Sequence, residues 1–155
     1  MPIEHDMLGF LLADVSRMMR RAFNKHIESS SLTLAQARAL VYVSRHEGIR
    51  QSHLADMLEI LPITLTRLID QLVDDGLVER KPDPNDRRAH KIYITEQAPP
   101  ILTSIQKAAV SIQAEALVGL DEQQSALLLS ALQKMRDNLG GREHTSTEKA
   151  KQQKP

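Results

Sequence analysis

The sequence predicts a mainly α-helical protein with one small β-hairpin, an α+β fold in which helices surround a short sheet. Apolar residues recur at spacings of three and four along several segments, as they do on the buried face of a helix. One stretch, "LVERKPDPNDRRAHKIYIT", instead carries two short apolar-polar runs around a turn-rich centre. These two patterns together predict the fold class.

The first predicted helix carries a long apolar stripe, and its basic residues lie largely off that stripe. The stripe consists of Leu8, Leu11, Leu12, Val15, Met18, Met19, Phe23 and Ile27. The segment "ESSSLT" ends this helix, and Thr33 can cap a second helix that begins at Leu34. "HEGIR" then forms a turn with room for only a minimal strand.

Two short helices follow, close together in the chain. The first is "QSHLADMLE", and the second begins at Pro62, whose missing N–H is not needed in a first helical turn. The second helix buries Leu65, Leu68, Ile69 and Leu72 and ends at Gly76. A short helix, a tight turn and a second amphipathic helix predict a helix-turn-helix. With the hairpin that follows, the segment predicts a winged helix.

The C-terminal part is predicted to be helical again. Pro99 and Pro100 predict an irregular or kinked turn before the next helix, because the residue before a proline avoids the helical region. Gly119 interrupts the helical pattern, and Asp121 can cap a last helix that reaches Leu139. The remaining segment, "GGREHTSTEKAKQQKP", has almost no apolar residues and is predicted to be disordered.

The terminal helices carry more apolar residues than one small winged core can cover, so we expect a second copy of the chain to cover them. The alternative is that these helices fold back onto their own domain. We therefore divide the chain into an N-terminal dimerisation helix (1–32), a winged helix-turn-helix core (33–95), C-terminal dimerisation helices (96–139) and a disordered polar tail (140–155).

Composition excludes several classes of function. The 155 residues include no cysteine, which excludes disulfides, thiolate metal sites and a cysteine nucleophile. The spacing of the six histidines is not that of a metal site, and the sequence has no glycine-rich phosphate loop. We therefore predict no enzyme activity, no cofactor and no metal. A metal-sensing regulator is a weaker alternative that bound zinc would reveal. With no apolar run of membrane-spanning length and no signal peptide, we expect a cytoplasmic protein without a membrane partner.

The second helix of the helix-turn-helix offers groups that read base edges in a major groove. The residues predicted to contact DNA from this helix are Ile63, Thr64, Thr66, Arg67 and Gln71. Arg67 can form a bidentate pair with guanine, and Ile63 or the threonine methyls can touch a thymine methyl. The alternative is an ordinary solvated face on which Arg67 pairs with Asp70.

The hairpin carries a local excess of positive charge, although the formal net charge of the chain is zero. Five basic residues stand against two aspartates between Arg80 and Lys91. We predict that Arg87 and Arg88 contact DNA and that Arg88 enters a minor groove, whose negative potential attracts arginine. Asp86 can accept hydrogen bonds from the Arg88 side chain or from the turn backbone and so aim the guanidinium; alternatively, it only closes the turn.

The stretch "LTRLIDQLVDDGLVERKPDPNDRRAHKIYIT" resembles the winged-helix core of the MarR family of bacterial transcription regulators, and "DRRAHKIYITEQAPPIL" is most similar to the SlyA-like branch. The resemblance implies an obligate homodimer on a palindromic operator, with recognition helices in successive major grooves and wing arginines in flanking minor grooves. By position, Arg67 matches the recognition-helix arginine, Arg88 the wing-tip arginine and Asp86 its partner. Leu61, a weak N-cap, and the double proline depart from the pattern.

The resemblance also implies an effector pocket between the dimerisation helices and the winged core. Arg17 matches a position where a basic residue can meet an aromatic carboxylate, and its alternative role is a surface or interface salt bridge. Whether this chain has an effector is left open by the sequence. The predicted function is a homodimeric, sequence-specific DNA-binding regulator. The resemblance implies a repressor, and its alternative is an activator that displaces other DNA-bound proteins, as members of this branch can do. The alternative is a winged-helix module that binds proteins, but its wing would be expected to expose apolar side chains.

Overall fold

The computed structural model describes residues 3–27 and 32–151, and the side chains of residues 7–27 and 32–140. In this part of the chain it has six helices and a three-stranded antiparallel sheet, which confirms the predicted fold class. The elements are α1 (Ile3–His26), α2 (Leu34–Arg45), β1 (Ile49–Arg50), α3 (Gln51–Leu58), α4 (Pro62–Asp74), β2 (Val78–Asp83), β3 (Asp86–Ile94), α5 (Ala98–Ala116) and α6 (Glu122–Lys151). They form two compact units, residues 1–113 and 114–155. None of the described helices is both long and apolar enough to span a bilayer.

The start of α2 confirms the predicted cap. The Thr33 side-chain oxygen accepts a hydrogen bond from the Gln36 backbone N–H at 3.3 Å, and the Gln36 side chain accepts one from the Thr33 N–H at 2.9 Å. This reciprocal capping box satisfies two backbone donors that the helix leaves without a partner. Residues 28–31 of the predicted break "ESSSLT" lie outside the described residues.

The core of the first unit lies where α2, α3, α4 and β3 meet. Its largest fully buried side chains are Leu40, Val43, Leu54, Leu65, Ile69, Leu72 and Ile92. Burying each of these side chains contributes about 1.5–3 kcal/mol before the entropy of ordering is counted. Because three of them come from one face of α4, the opposite face of that helix is directed to solvent.

Local signals set both ends of α4 as predicted. Pro62 occupies the first helical turn, and Gly76 follows the helix with a φ of +74° that a glycine adopts without strain. Leu61, the N-cap residue, makes no side-chain capping bond. Leu68, predicted as buried, is half-buried.

The wing is longer than its sequence pattern suggests. The strand order is β1-β3-β2, and β2 pairs with β3 from Val78 opposite Ile94 to Asp83 opposite Asp86. Strand structure therefore covers all of the turn-rich centre "PDPNDRRA" except Pro84 and Asn85. Pro82 is tolerated because β2 is an edge strand, and the register shifts directly after it.

The irregular turn predicted at Pro99 and Pro100 is wrong, because α5 already begins at Ala98. Both prolines lie in the first turn of this helix, where backbone N–H groups have no intrahelical acceptor. Their carbonyl groups accept hydrogen bonds from the hydroxyls of Thr103 and Ser104. The double proline thus starts the helix and does not disturb it.

The last helix begins as predicted but extends further. Asp121 accepts a hydrogen bond from the Gln124 N–H at 2.8 Å, and the Gln124 side chain accepts one from the Asp121 N–H at 3.0 Å. The backbone of α6 continues to Lys151, past the predicted end at Leu139. Good helix formers such as Glu148 and Ala150 favour this continuation, while a helical glycine such as Gly140 opposes it by about 1 kcal/mol. Residues 152–155 lie outside the described residues, and disorder of the tail stays a prediction.

Candidate nucleic-acid interface

The outer face of α4 carries the residues predicted to read bases. Ile63 is 64% exposed, which is unusual for an isoleucine, and Thr64, Arg67 and Gln71 are also exposed. Among the side chains that the structure describes, Arg67 has no ion-pair or hydrogen-bond partner, and Asp70 pairs with a different arginine. The pairing of Arg67 with Asp70 considered from the sequence is therefore not observed.

Thr66 differs from its neighbours on this face. Its hydroxyl donates to the backbone oxygen of Pro62 at 2.9 Å and accepts a hydrogen bond from the Gln51 side chain at 3.1 Å. The hydroxyl proton of Thr66 is thus engaged within the protein, and the methyl group is the part of this side chain that makes no hydrogen bond.

For Arg80 of β2, the sequence predicts only a contribution to the local positive charge. Its guanidinium lies 2.6 Å from the Asp70 carboxylate and donates to the Gln51 side chain at 3.0 Å. The next residue, Lys81, is paired with Glu79 at 3.2 Å and lies over the Tyr93 ring. Two of the five basic residues counted in this stretch are therefore charge-paired.

The tip of the wing presents Arg87 and Arg88, both exposed and without an ion pair among the described side chains. Asp86 accepts a hydrogen bond from the backbone N–H of Arg88 at 3.0 Å. This is the backbone contact that the sequence left open; no contact from Asp86 to the Arg88 guanidinium is found in the described region. The aspartate thus shapes the backbone from which Arg88 extends.

A second aspartate, Asp83, is the buried acid of the wing, with only 2% of its surface exposed. One carboxylate oxygen accepts a hydrogen bond from the Asn85 backbone N–H at 3.0 Å, and the other accepts one from Arg50 Nε at 2.7 Å. The Asn85 hydrogen bond and the Arg50 charge hold the pKa of Asp83 below its ordinary value, although burial alone would raise it. Arg50 directly precedes α3, so this pair ties the wing to the helix-turn-helix. The sequence predicts no such role for Asp83, because its one local signal is an aspartate at the start of a turn.

A cleft of about 300 Å³ separates the wing from the starts of α3 and α4. Its lining includes Pro62 at the start of α4, Arg50 and Ser52 near the start of α3, and Arg88 and His90 of the wing. The cleft therefore places two of the predicted wing residues, Asp86 and Arg88, beside the first turn of α4.

A second, more apolar cavity of about 360 Å³ lies among α1, α2 and α5 of the first unit. Phe23, Val41 and Ile112 contribute apolar walls, and Arg38 and Gln113 contribute polar groups. Arg17, the predicted effector contact, does not line this cavity, and its side chain donates to Asp14 at 3.0 Å.

The histidines do not assemble a metal centre in the described part of the chain. No group of three or more histidine, aspartate or glutamate side chains there could hold a metal ion. His53 of α3 and His90 of the wing are both exposed, and His90 lines the cleft beside Arg88.

Comparison with known proteins gives one family match and many similar structures. The model of the MarR family matches residues 32–90, from the second helix to the wing. A MarR transcriptional regulator from Methanosarcina mazei Go1 is 28% identical, with a TM-score of 0.82 over 86% of this chain and 96% of that chain. The transcriptional regulator SlyA is 25% identical, with a TM-score of 0.80 over 90% and 98% of the two chains. A mutant MarR from E. coli complexed with operator DNA is 28% identical, with a TM-score of 0.77 over 83% and 95%.

Proposed function

Because the winged-helix core of this chain belongs to the MarR family of transcription regulators, we propose that the protein is a homodimeric repressor that binds a palindromic operator in double-stranded DNA. The observation that carries the proposal is the pair of exposed, unpaired arginines among the described side chains, Arg67 on α4 and Arg88 on the wing. The similar E. coli MarR complexed with operator DNA supports it.

Each exposed side chain of α4 has a chemical role in this proposal. Arg67 donates two hydrogen bonds to guanine O6 and N7, and Gln71 offers an amide that suits adenine. Ile63, Thr64 and the methyl of Thr66 contact thymine methyl groups. Because Asp70 is neutralised by an arginine, it adds little repulsion toward the phosphates.

The wing supplies the second contact. Arg88 enters the minor groove beside the half-site, and Arg87 contacts a phosphate. Asp86 acts through the backbone N–H that it binds, and it limits the directions from which Arg88 can leave the turn. Fixing the backbone beforehand lowers the entropy lost when the arginine is held in the groove.

The dimer is proposed from an apolar face of α1. Leu8, Leu11, Val15 and Met18 are each about half exposed or more, although their spacing is that of a buried helical stripe. An apolar patch of this kind on a soluble protein marks an interaction surface. A two-fold dimer would place its recognition helices about one DNA turn apart, roughly 34 Å.

An effector is proposed to bind in the cavity among α1, α2 and α5. A small aromatic anion fits its chemistry, because the walls are mostly apolar and Arg38 offers a positive charge. Arg38 replaces Arg17 as the residue proposed to meet the carboxylate. Titration with benzoate tests this, and Arg38→Ala should weaken its binding; equal binding by both proteins would reject the assignment.

In this proposal the protein represses transcription by competing with polymerase for promoter DNA, and it is located in the cytoplasm.

The experiment that tests the function selects bound fragments from the source genome at near-physiological salt. An enriched palindrome with half-sites about 10 base pairs apart, centre to centre, is the expected result. Recovery of fragments without a shared motif would reject sequence-specific repression and favour a winged module that binds a protein partner.

A further inference from the structure

Arg80 lies where the wing meets both helices of the helix-turn-helix. Its Nε donates to Gln51 at the start of α3 at 3.0 Å, and one terminal nitrogen donates to the backbone oxygen of Thr66 in α4 at 3.3 Å. The other terminal nitrogen lies 2.6 Å from the carboxylate of Asp70, one helical turn further along α4. One guanidinium on β2 therefore contacts three groups on two helices.

We propose that Arg80 is a positioning residue, which holds the recognition helix α4 at a fixed orientation to the wing so that Arg67 and Arg88 engage DNA together. The proposal rests on the proposed DNA-binding function. Arg80 itself is not proposed to touch DNA.

An arginine suits this role better than a lysine would. The guanidinium is planar and presents its donors in fixed directions, whereas an ammonium group is a point charge on a flexible stem. Three of the directions are occupied here by acceptors from α3 and α4. The contacts therefore constrain orientation as well as distance.

The network also reaches the first turn of α4, which lacks a side-chain cap. The Gln51 amide that accepts from Arg80 donates to the Thr66 hydroxyl at 3.1 Å, and that hydroxyl donates to the Pro62 carbonyl at 2.9 Å. Ile63 and Thr64 lie in this same turn. The end of α4 that is proposed to enter the major groove is thus held through side-chain bonds to a neighbouring helix and strand.

The salt dependence of DNA binding distinguishes a positioning role of Arg80 from a direct contact with a phosphate. The charge of Arg80 is balanced by Asp70, and its side chain is only 24% exposed. A cation that contacts a phosphate releases a counterion, so its loss changes the slope of log affinity against log salt by about one. Loss of a positioning arginine leaves that slope unchanged and lowers the preference for the correct sequence.

A substitution at Asp70 gives a second test between these two roles of Arg80. Replacing Asp70 with Asn removes a negative charge, so if charge alone governed binding this variant would bind DNA more tightly. If Asp70 instead anchors the positioning arginine, the same variant loses sequence preference. The two accounts therefore predict opposite results for one substitution.

The experiment measures affinity for the selected operator and for a scrambled duplex, over a range of salt, for the full-length protein and three variants. These are Arg80→Met, Asp70→Asn and the control Lys81→Met. Lys81 is matched to Arg80 because it carries the same charge on the same strand, but it pairs with Glu79 and lies over Tyr93. We expect Arg80→Met and Asp70→Asn to lower the operator preference by about tenfold, as much as a mismatched base pair, at an unchanged salt slope. Lys81→Met should keep the wild-type preference.

A lower salt slope in Arg80→Met with unchanged preference, together with tighter binding by Asp70→Asn, would overturn the proposal and make Arg80 a phosphate contact. Amide hydrogen exchange in the free proteins is the second measurement, and the first turns of α4 should exchange faster in Arg80→Met and Asp70→Asn. Unchanged exchange in these variants would overturn the positioning role whatever the wild type binds. A wild type without sequence preference would overturn the proposed function, and exchange would still decide the role of Arg80. If Arg80→Met fails to fold, Asp70→Asn, which retains the other two Arg80 contacts, carries both measurements.

Discussion

Arg67 is the residue whose replacement tests base reading most directly, because it is exposed and has no partner among the described side chains. Arg67→Ala should cost about 1–3 kcal/mol of specific binding and relax the preference at one base position. Arg67→Lys keeps the charge but loses the bidentate geometry, so it should retain nonspecific affinity and lose the same base preference. Binding-site selection with each variant measures this, and an unchanged motif in both would remove Arg67 from the readout.

Arg88 and Asp86 form the second test at the scale of single residues. Arg88→Ala should weaken operator binding and reduce its salt dependence, because a cation is lost from the groove. Asp86→Ala should cause part of the same loss of affinity without removing a positive charge, since the bond to the Arg88 N–H is lost. Titrations at several salt concentrations measure both effects. Tighter binding by Asp86→Ala would show that charge, and not positioning, governs this turn.

Among the elements of the fold, the wing depends on the pair of Asp83 and Arg50. The pKa of Asp83 is lowered below its ordinary value of 3.8, first by the Asn85 hydrogen bond and also by Arg50. A lowered pKa contributes stability that is fully present above the unfolded-state value and is lost as pH falls through the folded-state value.

Asp83→Asn should therefore lower the free energy of unfolding at neutral pH, and its difference from the wild type should shrink below about pH 4. Urea unfolding at a series of pH values measures this difference. Asp86→Asn is the control, because Asp86 is exposed on the same hairpin. A difference for Asp83→Asn that is constant from pH 7 to pH 3 would mean that the charge of Asp83 does not stabilise the wing.

At the scale of the whole molecule, the exposed stripe of α1 predicts assembly. Leu11→Glu places a charge in the centre of the proposed dimer face, where its desolvation would oppose association. Sedimentation should show a shift toward monomer, and operator affinity should fall because the two half-sites are no longer bound together. Ala13→Glu, on the opposite side of the same helix, is the matched control. A monomeric wild type, or a Leu11→Glu variant that remains dimeric, would contradict the proposed interface.

Much of the fold could be predicted because its signals act over a few residues. Thr33 and Gln36 form a capping box within one turn, and Pro62 and Gly76 mark the ends of α4. The periodic apolar residues of α4 predicted which face is buried, and hence which side chains are exposed to a ligand. That periodicity also indicated which residues of α4 could contact base edges: Ile63, Thr64, Arg67 and Gln71.

Other features required the tertiary structure. Arg80 lies 29 residues from Gln51, and Asp83 lies 33 residues from Arg50, so no local spacing rule could pair them. The contact between the Gln51 side chain and the Thr66 hydroxyl spans 15 residues and also needed the fold, whereas the bond from that hydroxyl to the Pro62 carbonyl is local to α4. The positions of the prolines also needed the fold, because a proline breaks a helix in its interior and starts one in its first turn.

By itself, the sequence determined the helices, the hairpin, the exposed face of α4 and the basic tip of the wing, because helical periodicity, caps and turn formers act between near neighbours. Only the tertiary structure decided which charged side chains lack an ion-pair partner. The folded chain pairs Arg80 with Asp70 and Arg50 with Asp83, and it leaves Arg67, Arg87 and Arg88 without an ion pair among the described residues. The physical reason is that an ion pair depends on distance in space, and the packing of α3, α4 and the wing brings together groups that lie far apart along the chain.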